Sequence, residues 1–200
     1  MNVVEAALRR AASDLDRHAR KWALVGGFAV SARAEPRFTR DVDVAVTVPD
    51  DSAAEHLVRA LLSVGYQLAA SVEQETTGRL ATVRLVSSVA DAGDVIVDVL
   101  FASSGIEAEI VAGAEPLEIL EGFTVPVAST GHLIALKLLS RDDETRPQDL
   151  ADLHALLATA MSEDIELARV SVGLIADRAF DRGRDLKTAL EDALRRRTGG

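Results

Sequence analysis

The feature that most constrains this chain is the stretch VGGFAVSARAEPRFTRDVDVAVTVP, Val25 to Pro49. Two glycines end a short apolar run, thirteen residues follow, and Asp41 and Asp43 then open a series of alternating valines. Side chains alternate across a strand, so Asp41, Asp43, Ala45 and Thr47 share one face while Val42, Val44, Val46 and Val48 share the other. The valine face belongs to a core. The acid face holds two carboxylates roughly 6.6–7 Å apart along the strand, from where flexible side chains converge on a divalent cation. Like charges placed together repel unless something cationic sits between them. A Gly-rich turn at a helix N-terminus presents backbone amides as an anion site suited to phosphates. An anion cradle beside a cation-binding acid pair is what phosphoryl transfer requires. A lone Asp-x-Asp also reads as a cap residue before a half-exposed strand; the order strand, Gly-Gly turn, short helix, strand is what gives this pair its weight.

The rest of the chain supplies the frame. Ala7, Leu8, Ala11, Ala12 and Leu15 have helical spacing within residues 4–21, and "WALVGG" reads as a buried strand ending in a tight turn. A second helix follows Gly27 and stops before Pro36. Asp50, Asp51 and Ser52 offer N-cap chemistry for a helix ending at Gly65. Residues 66–70, 80–87 and 94–101 read as strands, the last two joined by the "ADAGD" turn as an antiparallel hairpin. A short helix near 105–113 and an edge strand near 123–128 follow. From Ser129 the pattern is helical: "TGHLIALKLLS", then "PQDLADLHALLATA" with Pro147 at a favoured first-turn position, then two amphipathic helices. The expected fold class is α+β: a mixed sheet with flanking helices over residues 1–128, and a C-terminal helical part over residues 129–200 that shares its core.

A third acid is expected, because an attacking hydroxyl needs a metal or a base to take its proton. "DVIVDVLF" offers Asp98 in mid-strand, with Val97 and Val99 on the opposite face; Asp94, at the turn, is the weaker candidate. A carboxylate in so apolar a strand is costly unless paired or metal-bound, although an edge-strand Asp facing water gives the same pattern. Of 22 basic residues only Lys21, Lys137 and Lys187 are lysines, and Lys137 sits among Leu133, Ile134, Leu136 and Leu138. A snorkelling surface lysine is one reading of it, yet in so arginine-biased a chain a lysine on an apolar helix is conspicuous. Asp149 and Asp152 share a helical face at i, i+3, where first-turn acids also serve as dipole partners.

Composition narrows the function classes. The formal charge of −10 argues against a surface that is basic all over. Arg33, Arg37 and Arg40 gather beside the acid pair, as a local basic groove or as solvated charge, and Arg195, Arg196 and Arg197 read as a solvated tail. The absence of cysteine excludes thiol chemistry and thiolate metal sites. The N-terminal residues carry charges through their first turns and lack the apolar core of a secretory signal. No apolar stretch reaches spanning length. The expectation is a cytoplasmic protein with no membrane partner. His18, His56, His132 and His154 show no metal spacing, and Trp22 reads as a core anchor.

Taken together, Gly26-Gly27, the thirteen-residue gap, Asp41-Val42-Asp43 and Asp98 resemble the signature of the polymerase-β-like nucleotidyltransferase superfamily. Lys137 on a helix followed by Asp149 and Asp152 in "LIALKLLSRDDETRPQDLADL" is similar to AbiEii-type toxins, and in particular to the MenT group. The likeness spans residues 22–155. Two departures stand out: Gly27 lies where many members have Ser, and the chain is shorter than many AbiEii-type proteins. The resemblance implies a Mg²⁺-dependent nucleotidyltransferase toxin. It would move a nucleoside monophosphate, pyrimidine favoured, from an NTP to the 3′ end of tRNA, blocking aminoacylation and growth. It also implies roles: Asp41, Asp43 and Asp98 at Mg²⁺; Gly26, Gly27, Arg40 and Lys137 at the nucleotide; Lys137, Asp149 and Asp152 at the leaving pyrophosphate. A cognate antitoxin, in one reading a kinase acting on Thr39 just ahead of the acid pair, would restrain the enzyme. Two alternatives remain: transfer to a small molecule or a protein side chain, and a non-catalytic member of the fold that binds nucleotide or partner.

Overall fold

A computed structural model describes residues 3–18, 21–74, 77–89, 93–141 and 147–198. Among the described residues seven strands form one mixed sheet: β1 (Trp22–Val25), β2 (Asp41–Val46), β3 (Gln67–Glu73), β4 (Leu80–Val89), β5 (Gly93–Leu100), β6 (Glu115–Leu120) and β7 (Phe123–Val127). Their order across the sheet is β3-β4-β5-β2-β1-β7-β6. The two central strands that carry the acids, β2 and β5, run parallel, while β1 lies antiparallel to β2 and parallel to β7.

The alternation expected of β2 fixes its orientation. Val42, Val44 and Val46 are fully buried, as are Val83 and Leu85 of β4 and Val97 and Val99 of β5. They pack against α1 (Val3–His18), whose apolar stripe of Ala7, Leu8, Ala11, Ala12 and Leu15 is buried, and α3 (Asp51–Ser63), whose N-cap Asp50 accepts from the Ala53 amide at 2.8 Å. Trp22 is buried as expected, its indole N–H donating to Asp16 at 2.8 Å. With that face committed to the core, the acids emerge on the other.

Helix α2 (Gly26–Arg33) starts directly on the Gly-Gly turn, and α4 (Glu107–Ala112) follows β5. The C-terminal region is helical: α5 (Thr130–Ser140), α6 (Pro147–Thr159), α7 (Ser162–Asp177) and α8 (Leu186–Thr198). Gly131 lets α5 press against α7, since a Cβ there would lie 2.5 Å from the Asp164 carbonyl oxygen and 2.8 Å from the Leu167 Cβ. Among the described residues no helix is long and apolar enough to cross a membrane.

Two sequence expectations are corrected. The strand near 123–128 is not an edge: β7 lies between β1 and β6, and β6 takes the edge. The segment EPLEIL hides a strand because Pro116 and two glutamates interrupt its apolar pattern; only an edge strand tolerates that composition. The hairpin of β4 and β5 forms with Val89 opposite Gly93, while turn residues 90–92 lie outside the described residues.

Candidate active site

The parallel register of β2 and β5 sets Asp43 directly beside Asp98. Because Val42, Val44, Val97 and Val99 face the core, both carboxylates project to the same open side of the sheet. The turn into α2 closes on them. Gly26 has φ +63°, and a Cβ there would stand 1.9 Å from Asp43 Oδ2, so only glycine fits. The Gly27 amide donates to the Asp43 carboxylate. Burial, then the charges of Asp98 and Asp41, push the Asp43 carboxyl up from 3.8 to about 6, with Lys137 and the Gly27 amide offsetting only part of this.

Asp98 is 8% exposed and is held by Arg84 of β4, which faces it across the hairpin. Arg84 Nε donates to Asp98 Oδ1 at 2.9 Å and Nη2 to Oδ2 at 2.7 Å. This contact, then the charges of Asp41 and Asp43, raise the guanidinium further above its ordinary range. Arg84 was not among the residues singled out in the sequence. A signal existed: once the turn pairs Val89 with Gly93, the hairpin register puts residue 84 opposite residue 98.

The facing wall comes from the helical region. Lys137 of α5 is largely buried, with Nζ 2.7 Å from Asp149 Oδ1 and 2.9 Å from Asp152 Oδ2, both on α6. Asp152 is 1% exposed and has further partners: Arg37 donates from Nη2 at 2.8 Å and its Nε stands 2.6 Å from Oδ1, while Gln148 donates at 3.2 Å. Burial alone would raise the Asp152 carboxyl, but the hydrogen bonds of Arg37 and Lys137 outweigh it and hold the group below its ordinary value. Asp149 differs: its Oδ2 is buried with no hydrogen-bond partner among the described residues, and the residue lines the cleft. Arg37 was foreseen only as one of three clustered arginines; its partner lies 115 residues away, a pairing no local pattern reveals.

Those three arginines do not form a basic groove. Arg33 ties α2 to the Val127 and Ala128 carbonyls and pairs with Glu115 at 2.7 Å, and Arg37 is spent on Asp152. Arg40 is exposed, its guanidinium 5.9 Å from the Phe38 ring centroid. Asp41 opens β2 at the exposed rim, opposite Ile96 of β5. Thr39 donates to the Asp41 carbonyl at 3.3 Å and packs against Gly27: a Cβ on Gly27 would lie 2.6 Å from its Oγ1 and 2.9 Å from Arg37 Nη2. The space a serine at position 27 would need is thus already taken by Thr39 and Arg37.

Gly26, Asp43, Arg84, Asp98, Lys137 and Asp149 line one cleft of about 850 Å³ between the sheet and α5. Arg40, Thr39 and Asp41 are not among the residues that line it, and Asp152 is reached through Lys137. Among the described residues no three His, Cys, Asp or Glu side chains converge tightly enough to hold an ion by themselves. The donor set on offer is a pair of carboxylates with Asp41 at the rim. That set fits Mg²⁺, which is ordinarily held by one or two carboxylates together with substrate phosphates. Burial first, and then the charges of Asp98 and Asp41, oppose the Asp43 carboxylate, and a dication would relieve the second of these costs.

Two solved structures share this architecture. An antigenic nucleotidyltransferase-like protein from Paracoccidioides brasiliensis superposes with a TM-score of 0.53 at 18% identity, over 94% of this chain and 92% of that one. The nucleotidyltransferase toxin MenT4 from Mycobacterium tuberculosis superposes with a TM-score of 0.52 at 17% identity, over 85% of this chain and 63% of the toxin. The present chain thus spans less than two thirds of the MenT4 length, and at these identities the likeness is one of fold. No curated protein matches the chain in sequence. The family described as "Nucleotidyl transferase AbiEii toxin, Type IV TA system" matches residues 7–198, nearly the whole chain. The protein therefore belongs to the AbiEii family of nucleotidyltransferase toxins of type IV toxin–antitoxin systems.

Proposed function

We propose that the protein moves a nucleoside monophosphate, with pyrimidines favoured, from an NTP to the 3′ end of tRNA. The observation that carries this reading is the opposition of two walls across one cleft. Asp43 and Asp98 stand side by side under the Gly26-Gly27 turn, and Lys137, clamped by Asp149 and Asp152, stands facing them. Asp41, Asp43 and Asp98 are the residues that would hold Mg²⁺, whose contribution when bound is to neutralise charge on the triphosphate and lower the cost of ionising the acceptor hydroxyl.

The chain's own residues do the rest. Gly26, which lines the cleft, would present its backbone to the phosphates, while the neighbouring Gly27 amide holds the Asp43 carboxylate; Arg40, exposed one residue ahead of Asp41, would meet the triphosphate from outside. The acceptor 3′-oxygen forms a bond to the α-phosphorus as the α–β P–O bond breaks; pyrophosphate leaves, and Asp98 helps take the hydroxyl proton. Lys137 meets charge growing on the leaving pyrophosphate, and the α6 acids keep its ammonium aimed. Catalysis of this kind is mainly positioning and electrostatics.

Restraint by a cognate antitoxin belongs to the same reading. The Thr39 hydroxyl touches Gly27, so a phosphate there would add close to two negative charges at the mouth of the anion cradle. Repulsion would then weaken cation and NTP binding together.

The test is transfer of radiolabel from each of the four NTPs to total tRNA in Mg²⁺, with Asp43→Ala as control. Labelled tRNA that depends on Asp43 supports the reading. Label found only on a small molecule or a protein in parallel reactions moves the acceptor assignment. No transfer to any acceptor, from any NTP, overturns the catalytic reading.

A further inference from the structure

Asp98 is required twice over. As a neighbour of Asp43 it belongs to the cation-binding acids, yet both of its oxygens are taken by the Arg84 fork. That bidentate arrangement is the strong form of a carboxylate–guanidinium pair. A dication shared by Asp43 and Asp98 and a guanidinium on the same carboxylate repel each other, and one negative charge on Asp98 cannot neutralise both.

The two partners are not equally fixed. Asp98 is buried in the middle of β5, whereas the Arg84 side chain is 49% exposed. Val83 and Leu85 anchor its backbone in the core, leaving a long side chain that lines the cleft. Among the described residues Asp98 is its one hydrogen-bonding partner. Lys137 is different: two carboxylates hold it, one of them shared with Arg37. Of these two cations, only Arg84 can change partners by leaving a single carboxylate.

We propose that Arg84 is a phosphate-binding residue of the cleft that is stored on Asp98: a divalent cation entering with a nucleoside triphosphate displaces the guanidinium from Asp98 onto the triphosphate. The inference rests on the nucleotidyltransferase reading of the site. Its consequence is coupling between the two ligands. A cation arriving alone must displace Arg84 with nothing to receive it, whereas a cation arriving with a triphosphate supplies the new anionic partner. Each ligand therefore raises the affinity for the other.

The full chain is titrated by calorimetry with Mn²⁺ alone, and then with the α,β-methylene analogues of ATP, CTP, GTP and UTP, separately, at saturating Mn²⁺. In Arg84→Ala, Mn²⁺ alone should bind several-fold tighter, because its competitor is gone, while the analogue binds about tenfold or more weaker, the loss of a charged hydrogen-bonding partner. Opposite signs in one variant are the signature. A merely structural arginine would weaken both ligands, and a simple phosphate ligand would leave Mn²⁺ unchanged; either result overturns the proposal. Should Arg84→Ala fail to fold by circular dichroism, Arg84→Gln carries the same comparison. If the wild type binds an analogue and the variants bind it equally well, this inference alone falls. If the wild type binds none of the four, the nucleotidyltransferase reading falls and this inference with it.

Discussion

The clearest physical consequence of the site is that it should destabilise the protein that carries it. Asp43 titrates near 6 in the fold and near 3.8 when unfolded, because burial and the neighbouring acids oppose its charge. Below the lower value both states are protonated and the residue is neutral toward stability. Between the two values the folded state keeps a proton that the unfolded chain has released, so stability falls as pH rises; above about 6 the cost is complete. At about 1.4 kcal/mol per pKa unit the total is roughly 3 kcal/mol. Asp43→Asn removes the charge but keeps an acceptor for the Gly27 amide. At pH 8 the variant should therefore melt higher than wild type by an amount of that order, roughly 6–12 °C for a domain of this size, and at pH 4 the two should nearly coincide. The comparison is by thermal denaturation in the absence of divalent cations, and taking the difference between proteins removes the contribution of Asp152, whose lowered pKa gives the opposite trend. Mg²⁺ should then raise the melting temperature of wild type and leave Asp43→Asn unmoved. An equal separation at both pH values would refute the electrostatic argument, and equal Mg²⁺ stabilisation of both proteins would refute the cation site.

Other substitutions probe the remaining walls. Gly26→Ala forces a Cβ onto the Asp43 carboxylate from a left-handed backbone, and should cost about 1–3 kcal/mol in urea denaturation while transfer to tRNA falls steeply. Lys137→Ala leaves Asp149 and Asp152 facing each other unneutralised by it; transfer should drop about a hundredfold or more, and turnover, rather than nucleotide KM, should carry most of the loss if the ammonium meets charge on the leaving group. Arg37→Ala strips the buried Asp152 of one of its two cations and should destabilise the fold by roughly 3 kcal/mol, measured by equilibrium unfolding, with Arg37→Lys recovering only part. Thr39→Glu should weaken Mn²⁺ and triphosphate binding in calorimetry, whereas Thr39→Val, which adds no charge beside Gly27, should leave both near wild type.

Much of the frame is legible in the chain because it rests on local periodicity. The valine alternation from Val42 to Val48 dictates which face of β2 is buried, and hence that Asp41 and Asp43 share the open face; the Asp50 cap and the apolar stripe of α1 are equally local. The weak edge strand β6 escaped because an edge need not be apolar on either side, and its presence is what turned β7 from an edge into an interior strand. Residue types and order single out the glycine turn, Asp41, Asp43 and Asp98 as candidates, whereas Lys137 reads equally well as a snorkelling surface lysine until its partners are seen.

What the sequence by itself determined, then, is which residues carry charge or a special backbone where apolar residues would be cheaper. Only the tertiary structure decided who neutralises whom. The register of two parallel strands put Asp43 beside Asp98; a hairpin pairing gave Asp98 to Arg84; and the docking of α6 brought Asp149 and Asp152 to Lys137 and Asp152 to Arg37. The reason is range. Periodicity and capping are fixed by neighbours a few residues apart, whereas Coulomb partners are chosen by whichever distant segment packing brings within about 3 Å, and that choice is made by the core.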